Sequence, residues 1–497
     1  MKHEDTPSED IGKDKTQAGT KITFSINKVK DFPDWYDRAL EVSDFVDTRY
    51  PVKGMYIWKP YGYRTLKLML GIMQELLDKT GHEEVYFPML VPESVFGKEH
   101  DFLKGFTGEA YVVTKAGNDD LTERLYIRPT SETGMYESVK LWIRSVNDLP
   151  LKLYQIVNVF RHETKQTRPM LRLREIAKFK EAHTFHATAE EADAQIREGV
   201  TVYSEFFDRL LVPYIVVKTP SWDTFAGAMY NYDLMSVMPD GKAIELGSVI
   251  NLGTKFAKAY GLTYRTSDNK EEYVHQTCYG ISERELGVVI AIHGDDNGLI
   301  MPPVIAPVQV VVVPIMKKGM TDELKKRALE IRDILTSKGF RAIADLRDRG
   351  VGDKYYEWEA KGVPIRIEMG PKEVEASKLV LFRRDTRKKE TVDASGAAKR
   401  ITELMGEISE NMKARARDYL KGRILHFDTV EELKSKYTER QGMVGLPWCG
   451  DEKCGRKLEE EIGIPTIGFV PDKEVHGACA ACGKSGHSVE MFFGRTY

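Results

Sequence analysis

One segment, VFRHETKQTRPMLRLREIAKFKEAHTF at residues 159–185, constrains this chain more than any other. LPLKLYQIVNVF, which leads into it, and KFKEAHTFH, which closes it, read as two extended segments. The charged residues between them read as the connecting loop. A hairpin of this kind commits the surrounding region to an antiparallel platform. It also gathers Arg161, Arg168, Arg172 and Arg174 on one element, while Arg284 stands at the start of a distant helix. Guanidinium forks pair with phosphate oxygens bidentately and keep their proton. The pattern suits a nucleoside triphosphate held without a glycine cradle, and the chain has no GxxxxGK[ST] loop to compete for that role. A solvated, salt-bridged hairpin would carry the same charges, so spacing has to decide between the two.

At 497 residues the chain suits about three domains. Residues 1–30 are polar and patternless and read as a flexible leader. GYRTLKLMLGIMQELLDKTGH, from Gly62, has apolar residues at helical spacing and leads into a strand interrupted by Pro88 and Pro92, which belongs at a sheet edge or an interface. Residues 190–211 read as an acidic amphipathic helix, and GISERELGVVIAIHGDDNGL reads as strand, turn and buried helix. MPPVIAP reads as a linker. After it, VQVVVVPI, a helix from Asp322 to Lys338, FRAIADL, KYYEWEAKG, PIRIEMG and KLVLFRR alternate as a compact α/β module with a partly parallel sheet. A helix-rich stretch and a cysteine-bearing tail close the chain. The expected fold class is α+β, divided into residues 1–30, 31–303, 304–405 and 406–497.

The net charge of −3 excludes a uniformly basic nucleic-acid coat, so a polyanion would have to be met by local patches. One such patch is KLVLFRRDTRKK, with six cations against one acid. The start of the chain lacks an apolar signal core, and no uncharged apolar run is long enough to span a bilayer. The expected setting is therefore the cytoplasm, without membrane association. In the tail, Cys449, Cys454, Cys479 and Cys482 form two close pairs, a spacing that suits a closed, structural tetrahedral zinc site, with redox chemistry as the rival. Cys278 stands apart and reads as a buried small residue.

FRHE at 160–163, the returning RLRE and the arginine of GISERELG resemble motifs 2 and 3 of the class II aminoacyl-tRNA synthetases, and Pro88 resembles their motif 1 proline. RYPVKGMYIWKPYG, RPTSET, FKEAHTFHAT, QTCYGISER, HGDDNGL, KYYEWEAKGVPIRIEMGPKE and the terminal RTY are similar to prolyl-tRNA synthetases of the archaeal and eukaryotic type, from about Trp35 to Tyr497. The resemblance implies a class II antiparallel catalytic domain flanked by helices, an α/β anticodon-binding domain, and a small zinc-binding α+β domain. It implies a homodimer formed through the Pro88 region, with ATP, Mg²⁺, structural Zn²⁺, L-proline and tRNA(Pro) as cofactors and partners.

By the same resemblance Arg161 binds the α-phosphate and the amino-acid carboxylate, Arg284 lies on the γ-phosphate side, and both are catalytic. Glu163, Arg172, Arg174, Glu245, Ser248 and Ser282 complete the ATP site. Thr130, Glu132, Phe179, Glu181, His183 and Ile250 surround the amino acid. For Thr130-Ser131-Glu132, a helix cap with a following acid accounts for the sequence equally well. Lys354, Glu359, Arg366 and Glu368 are implied tRNA contacts, and Tyr497 brings its carboxylate toward the pocket.

One stretch departs from the pattern. Where the family reads Gln-x-x-Thr-x-His-x-Leu-Gly-Gln-Asn-Phe, this chain has ELGSVINLGTKF, which puts Glu245 and Ile250 in place of a glutamine and a histidine. This keeps open a related synthetase for another amino acid or a proline analogue. The retained Arg161, Glu163 and Arg284 argue against a catalytically silent tRNA-binding relative. About 120 residues separate Glu163 from Arg284, which leaves no room for an inserted editing domain, so alanine activation without hydrolysis in cis is expected.

Overall fold

The structure is a computed structural model that describes residues 26–97, 109–224, 227–316, 321–438, 442–475, 477–486 and 488–497. Most of the expected leader lies outside these residues. Its last part is held in place: Asn27 Nδ2 and the Lys28 N–H donate to Asp296 at 2.9 Å each, and Lys28 Nζ donates to the carbonyls of Ile292 and Gly294. The anchored chain therefore begins before residue 30.

Helix α1 (Phe32–Val42) is followed by α2 (Pro60–Lys79), which starts on a proline and buries Leu66, Met69, Leu70, Met73 and Leu77 along one stripe. Strand β1 (Glu83–Glu84) and the segment Leu90–Pro92 flank Pro88 and occupy the ends of two different sheets, as residues without a ladder donor require. After α3 (Glu132–Trp142), strands β2 (Leu151–Phe160) and β3 (Glu175–His186) form the expected hairpin, pairing Phe160 with Glu175 and Leu151 with Phe185. Helix α4 (Ala189–Arg209), capped by Thr188, packs behind the platform. The platform continues through β4 (Ile215–Lys218), β5 (Tyr230–Val237), β6 (Ala243–Gly253) and β7 (His275–Ile281), and α5 (Arg284–His293) follows.

MPPVIAP does not behave as a free linker. Met301, Pro302, Pro303, Ile305 and Ala306 are buried, and the Leu299 and Met301 N–H groups donate to the carbonyls of Ala360 and Gly362. Its apolar side chains and missing proline donors make it fit for burial between the two units it joins. The α/β module has β8 (Val310–Pro314), α6 (Thr321–Ser337), β9 (Ala342–Ala344), α7 (Val351–Ala360), β10 (Ile365–Met369), β11 (Lys378–Arg383) and β12 (Lys389–Asp393). Its sheet order is β9-β8-β10-β11-β12, with β8 parallel to both neighbours and the rest antiparallel.

Helix α8 (Ala397–Lys421) runs straight through the border expected at residues 405/406. Its apolar stripe is unbroken: Ile401, Leu404, Ile408 and Met412 pack into the α/β module, while Ala416 joins the core of the first domain. The C-terminal part, with β13 (Ile424–His426), β14 (Met443–Trp448), α9 (Glu452–Ile462), β15 (Thr466–Val475) and β16 (Ser488–Phe493), does not form a sheet of its own. It extends the platform into one sheet ordered β13-β14-β16-β15-β4-β5-β6-β7-β3-β2-β1, joined where Phe469 pairs with Lys218.

Candidate active site

A cavity of about 520 Å³ opens over the platform. Successive strand residues face opposite ways, and the cavity takes Phe179 and Glu181 from β3, Asn231, Asp233 and Met235 from β5, and Cys278 and Gly280 from β7. Strand β6, irregular opposite Leu234 and Met235, instead contributes the consecutive Ile244 to Ser248 as well as Ile250. Gly280 leaves space where a Cβ would meet the Phe179 ring at 3.1 Å. Arg161, just past the end of β2, and Arg284, the first residue of α5, reach this same cavity from separate parts of the chain. Arg161 Nε donates to the Pro129 carbonyl at 3.0 Å, and its guanidinium lies 5.4 Å from the centre of the Phe179 ring. A larger cavity, about 750 Å³, lies beside α1 and touches the hairpin loop at Thr167 and Pro169, but neither Arg161 nor Arg284 lines it.

The floor is acidic. Thr130 Oγ1 donates to Glu181 Oε1 at 2.7 Å and also touches Glu132, while Ser131 Oγ contacts the other Glu181 oxygen and accepts from Gln155 Nε2 at 2.7 Å. Cys278 Sγ lies 3.6 Å from Glu132 Oε1. Ser131 occupies the cap position of α3 but makes no capping hydrogen bond, so the hydroxyls of Thr130 and Ser131 serve the acid cluster instead of the helix end. Burial raises Glu132 and Glu181 above the ordinary carboxylate range, and Glu132 pushes Glu181 further. His183 does not line the cavity. It is fully buried behind the wall, held at about 4 by burial, with Nδ1 3.2 Å from the Tyr136 hydroxyl. It shares the strand face of Glu181 but lies deeper, against the Tyr136 ring of α3.

The other end of the cavity carries Ser248, Asp233, Thr219 and Asn231 in one network. Ser248 Oγ donates to Asp233 Oδ1, Thr219 Oγ1 donates to Asp233 Oδ2 at 2.6 Å, and Asn231 Nδ2 reaches the same carboxylate at 2.9 Å. Glu245 is surrounded by protein yet open to the water of the cleft; burial and Asp233 push it up to about 7, against Arg284 and Arg161. Ser282 Oγ accepts from the Arg284 N–H at 3.1 Å, and Thr466, Ile467, Thr496 and Tyr497 bring the C-terminal strands and the chain end to the rim.

The hairpin arginines divide. Arg172 and Arg174 stay with Glu163, at 3.9 Å from its carboxylate and 3.0 Å from its carbonyl respectively, and none of these three lines the cavity. Asp233, Asn231, Thr219 and Cys278 were not expected in the site. The period-two pattern of β5 and β7 marked the first, second and fourth, once it was known which face of each strand pointed inward.

A family model described as "tRNA synthetase class II core domain (G, H, P, S and T)" matches residues 111–293, "Anticodon binding domain" matches 309–404 and "Prolyl-tRNA synthetase, C-terminal" matches 430–497. The proline–tRNA ligase of Thermococcus kodakarensis is 46% identical over 94% of this chain and 98% of its own length. The chain belongs to the prolyl-tRNA synthetase family. The ligase of Methanothermobacter thermautotrophicus is 45% identical over 92% of this chain and 94% of its own. A solved structure, "Giardia lamblia Prolyl-tRNA synthetase in complex with prolyl-adenylate", superimposes with a TM-score of 0.91 at 34% identity, covering 96% of this chain and 100% of that one.

In this synthetase the sulfurs of Cys449, Cys454, Cys479 and Cys482 lie within 4.8 Å of one another, and none of the four is in a disulfide. Burial opposes ionisation of Cys479, but the N–H groups of Ala481 and Cys482 pull it down to about 7. Four convergent soft donors are compatible with zinc. In the anticodon-binding domain, Arg366 is sandwiched 3.9 Å from the Tyr355 ring and 4.1 Å from Phe382, and it pairs with Glu359 at 3.0 Å and Glu368 at 2.9 Å. Lys354 does not reach the surface: it is 1% exposed and donates to the Asp345 carbonyl at 3.0 Å. Burial with a satisfied ammonium removes it from the surface that a tRNA would meet. No helix among the described residues is long and apolar enough to cross a membrane.

Proposed function

We propose that this chain activates L-proline with ATP and transfers the prolyl group to the 3′ end of tRNA(Pro). The observation that carries this reading is the convergence of Arg161 and Arg284 on one cavity whose floor is the Thr130–Glu132–Glu181 cluster. The activation step needs no protein nucleophile: the substrate carboxylate attacks the α-phosphorus of ATP and pyrophosphate leaves. Alignment and charge stabilisation are what the protein supplies.

Arg161 stands between the acid floor and Arg284, so it can hold the carboxylate against the α-phosphate, while Arg284 takes the outer phosphates. Glu132 and Glu181 receive the secondary ammonium of proline, where Thr130 fixes their geometry and the apolar ring of Phe179 faces the pyrrolidine. Ser248 and Ser282 offer hydroxyls toward the nucleotide, which enters as its Mg²⁺ complex. The hairpin group of Glu163, Arg172 and Arg174 closes over the adenine when ATP orders it. Cys449, Cys454, Cys479 and Cys482 would hold a zinc ion that braces the C-terminal strands, away from the chemistry. Exposed Tyr86, Leu90, Leu141 and Trp142 beside Pro88 fit a homodimer contact, and aminoacylation of tRNA fits a cytoplasmic setting.

Pyrophosphate exchange over a panel of amino acids tests the proposal. Proline gives the highest kcat/KM, with alanine lower but measurable. Another amino acid ahead of proline would transfer the reading to a different substrate, for which Ile250 in the wall is the marked position, and no exchange at all would refute adenylate formation.

A further inference from the structure

The ligand atoms of Glu132, His183 and Cys278 lie within 4.8 Å of one another, and all three residues are buried. They come from three elements, α3, β3 and β7, and none belongs to the cysteine cluster of the tail. His183 Nε2 is fully enclosed and has no hydrogen-bond partner among the described residues, an expensive state for a polar atom. The Cys278 sulfur rests against Glu132 at 3.6 Å and lines the cavity, so the group is reachable from solvent.

We propose that Cys278, His183 and Glu132 form a second metal site, for a zinc-class divalent ion, in the floor of the active-site cavity, and that this ion and the imino acid exclude one another. The donor set is soft thiolate, imidazole and carboxylate, a combination that selects transition metals over Mg²⁺ or Ca²⁺. Tetrahedral zinc with these donors sets its ligand atoms about 3.3–3.8 Å apart, so side-chain adjustments of about 1 Å complete the site. Three protein ligands leave a fourth position open.

Charge points the same way. Glu132 and Glu181 share the floor with Arg161, while Lys180, on the other face of β3, is lowered to about 7 by burial, so the acid floor has few cations to compensate it. Proline's ammonium supplies one charge. A divalent ion supplies two, and on binding it displaces to solvent the Cys278 proton and any proton held by the raised carboxyls, so that thiolate and carboxylates face the ion and Arg161. Both occupants require Glu132. The exclusion rests on the proline subsite proposed above, whereas the metal site itself does not.

The test uses the full-length protein, equilibrated with Zn²⁺ and freed of excess, with metal counted by mass spectrometry. The wild type is expected to retain about two equivalents, and Cys278→Ser and His183→Gln about one each, with circular dichroism confirming that the variants are folded. With Co²⁺ as the probe, the wild-type minus Cys278→Ser difference spectrum shows a thiolate–cobalt charge-transfer band, and saturating proline removes it. A wild type holding about one equivalent, or variants that keep the wild-type count, overturns the site. A band that survives proline overturns the exclusion. Should Cys278→Ser not fold, His183→Gln serves both arms. Loss of proline activation alone leaves the metal count unchanged, so the two readings fail separately.

Discussion

Glu132 and Glu181 meet at one hydroxyl, that of Thr130, although they come from a helix and a strand far apart in the chain. Burial raises both carboxyls, so the floor without substrate keeps its protons to a higher pH than free carboxylates do. A secondary ammonium between them favours the ionised forms. Proline binding should therefore release protons and tighten as pH rises through the raised range. Calorimetry in buffers of different ionisation heat measures this directly, and proton uptake would contradict the assignment. Glu132→Gln should lower kcat/KM for proline by about 10²–10³-fold, the cost of leaving a buried charge without its partner, with ATP binding little changed.

In the proposed reaction Arg161 bridges the two substrates. Arg161→Ala should slow adenylate formation about a hundredfold or more, as the loss of one preorganised donor does elsewhere. Arg161→Lys should recover little, because a point charge replaces a planar fork that also faces the Phe179 ring. Single-turnover adenylate formation distinguishes this from slow product release. A rate near wild type in either variant sinks the role.

Much of this was legible in the sequence because its signals are local. Hairpin alternation located β2 and β3, continuous valines located β8, and apolar spacing located α2 and α6. The two cavity arginines were marked by motif order. What the sequence could not show was how segments meet. Arg172 and Arg174 look the same in sequence as Arg161, yet the Arg161 N–H bonds the Arg174 carbonyl across the hairpin while only the Arg161 side chain lines the cavity and the other two stay with Glu163. His183 shares the alternation of Glu181 but lies one residue pair deeper. The union of the C-terminal strands with the platform depends on the pairing of Phe469 with Lys218, and neither residue advertises the other.

Glu245 predicts a pH effect on the nucleotide. Burial and Asp233 hold it near 7, so it is largely neutral below that and anionic above. An anion facing phosphates beside Arg284 weakens ATP binding, so KM for ATP should rise as pH passes from 6 to 8. At an effective dielectric suited to an open cleft the effect is about 0.5–1 kcal/mol, or roughly two- to fivefold. Glu245→Gln should flatten that rise and keep the low-pH value throughout. Parallel profiles for the two proteins would remove Glu245 from the nucleotide's surroundings.

Arg384 couples the anticodon-binding domain to the catalytic one. Its guanidinium is 1% exposed and grips Asp295, just past the end of α5, with bonds of 2.8 and 2.6 Å, while Nε donates to the Glu359 carbonyl. Arg384→Ala removes the charged partner of the Asp295 carboxylate, which keeps only the Asn297 N–H among the described residues, a change that costs about 3 kcal/mol in comparable buried pairs. Charging of tRNA should fall more than pyrophosphate exchange, since only charging requires both domains to be held in register. Equal loss in the two assays would make the pair a general stabiliser instead.

The cysteine cluster should matter to chemistry it never touches. Cys479 and Cys482 lie between β15 and β16, and Cys449 and Cys454 follow β14, so the metal would clamp three strands at one end. The same strands bring Thr466, Ile467, Thr496 and Tyr497 to the cavity rim, and the Tyr497 hydroxyl donates to Asp240 at 2.8 Å. Loss of a structural zinc removes several kcal/mol of folding free energy from a small unit. Because this unit shares its sheet with the platform, the rim loosens with it. Cys454→Ser should lower Tm and reduce proline-dependent exchange at least tenfold, although no cysteine of the cluster lines the cavity. Hydrogen exchange would show the loss of protection spreading from β16 through β15 to β4. Full activity with only the C-terminal strands unprotected would mean that the sheet is continuous in form but not in stability.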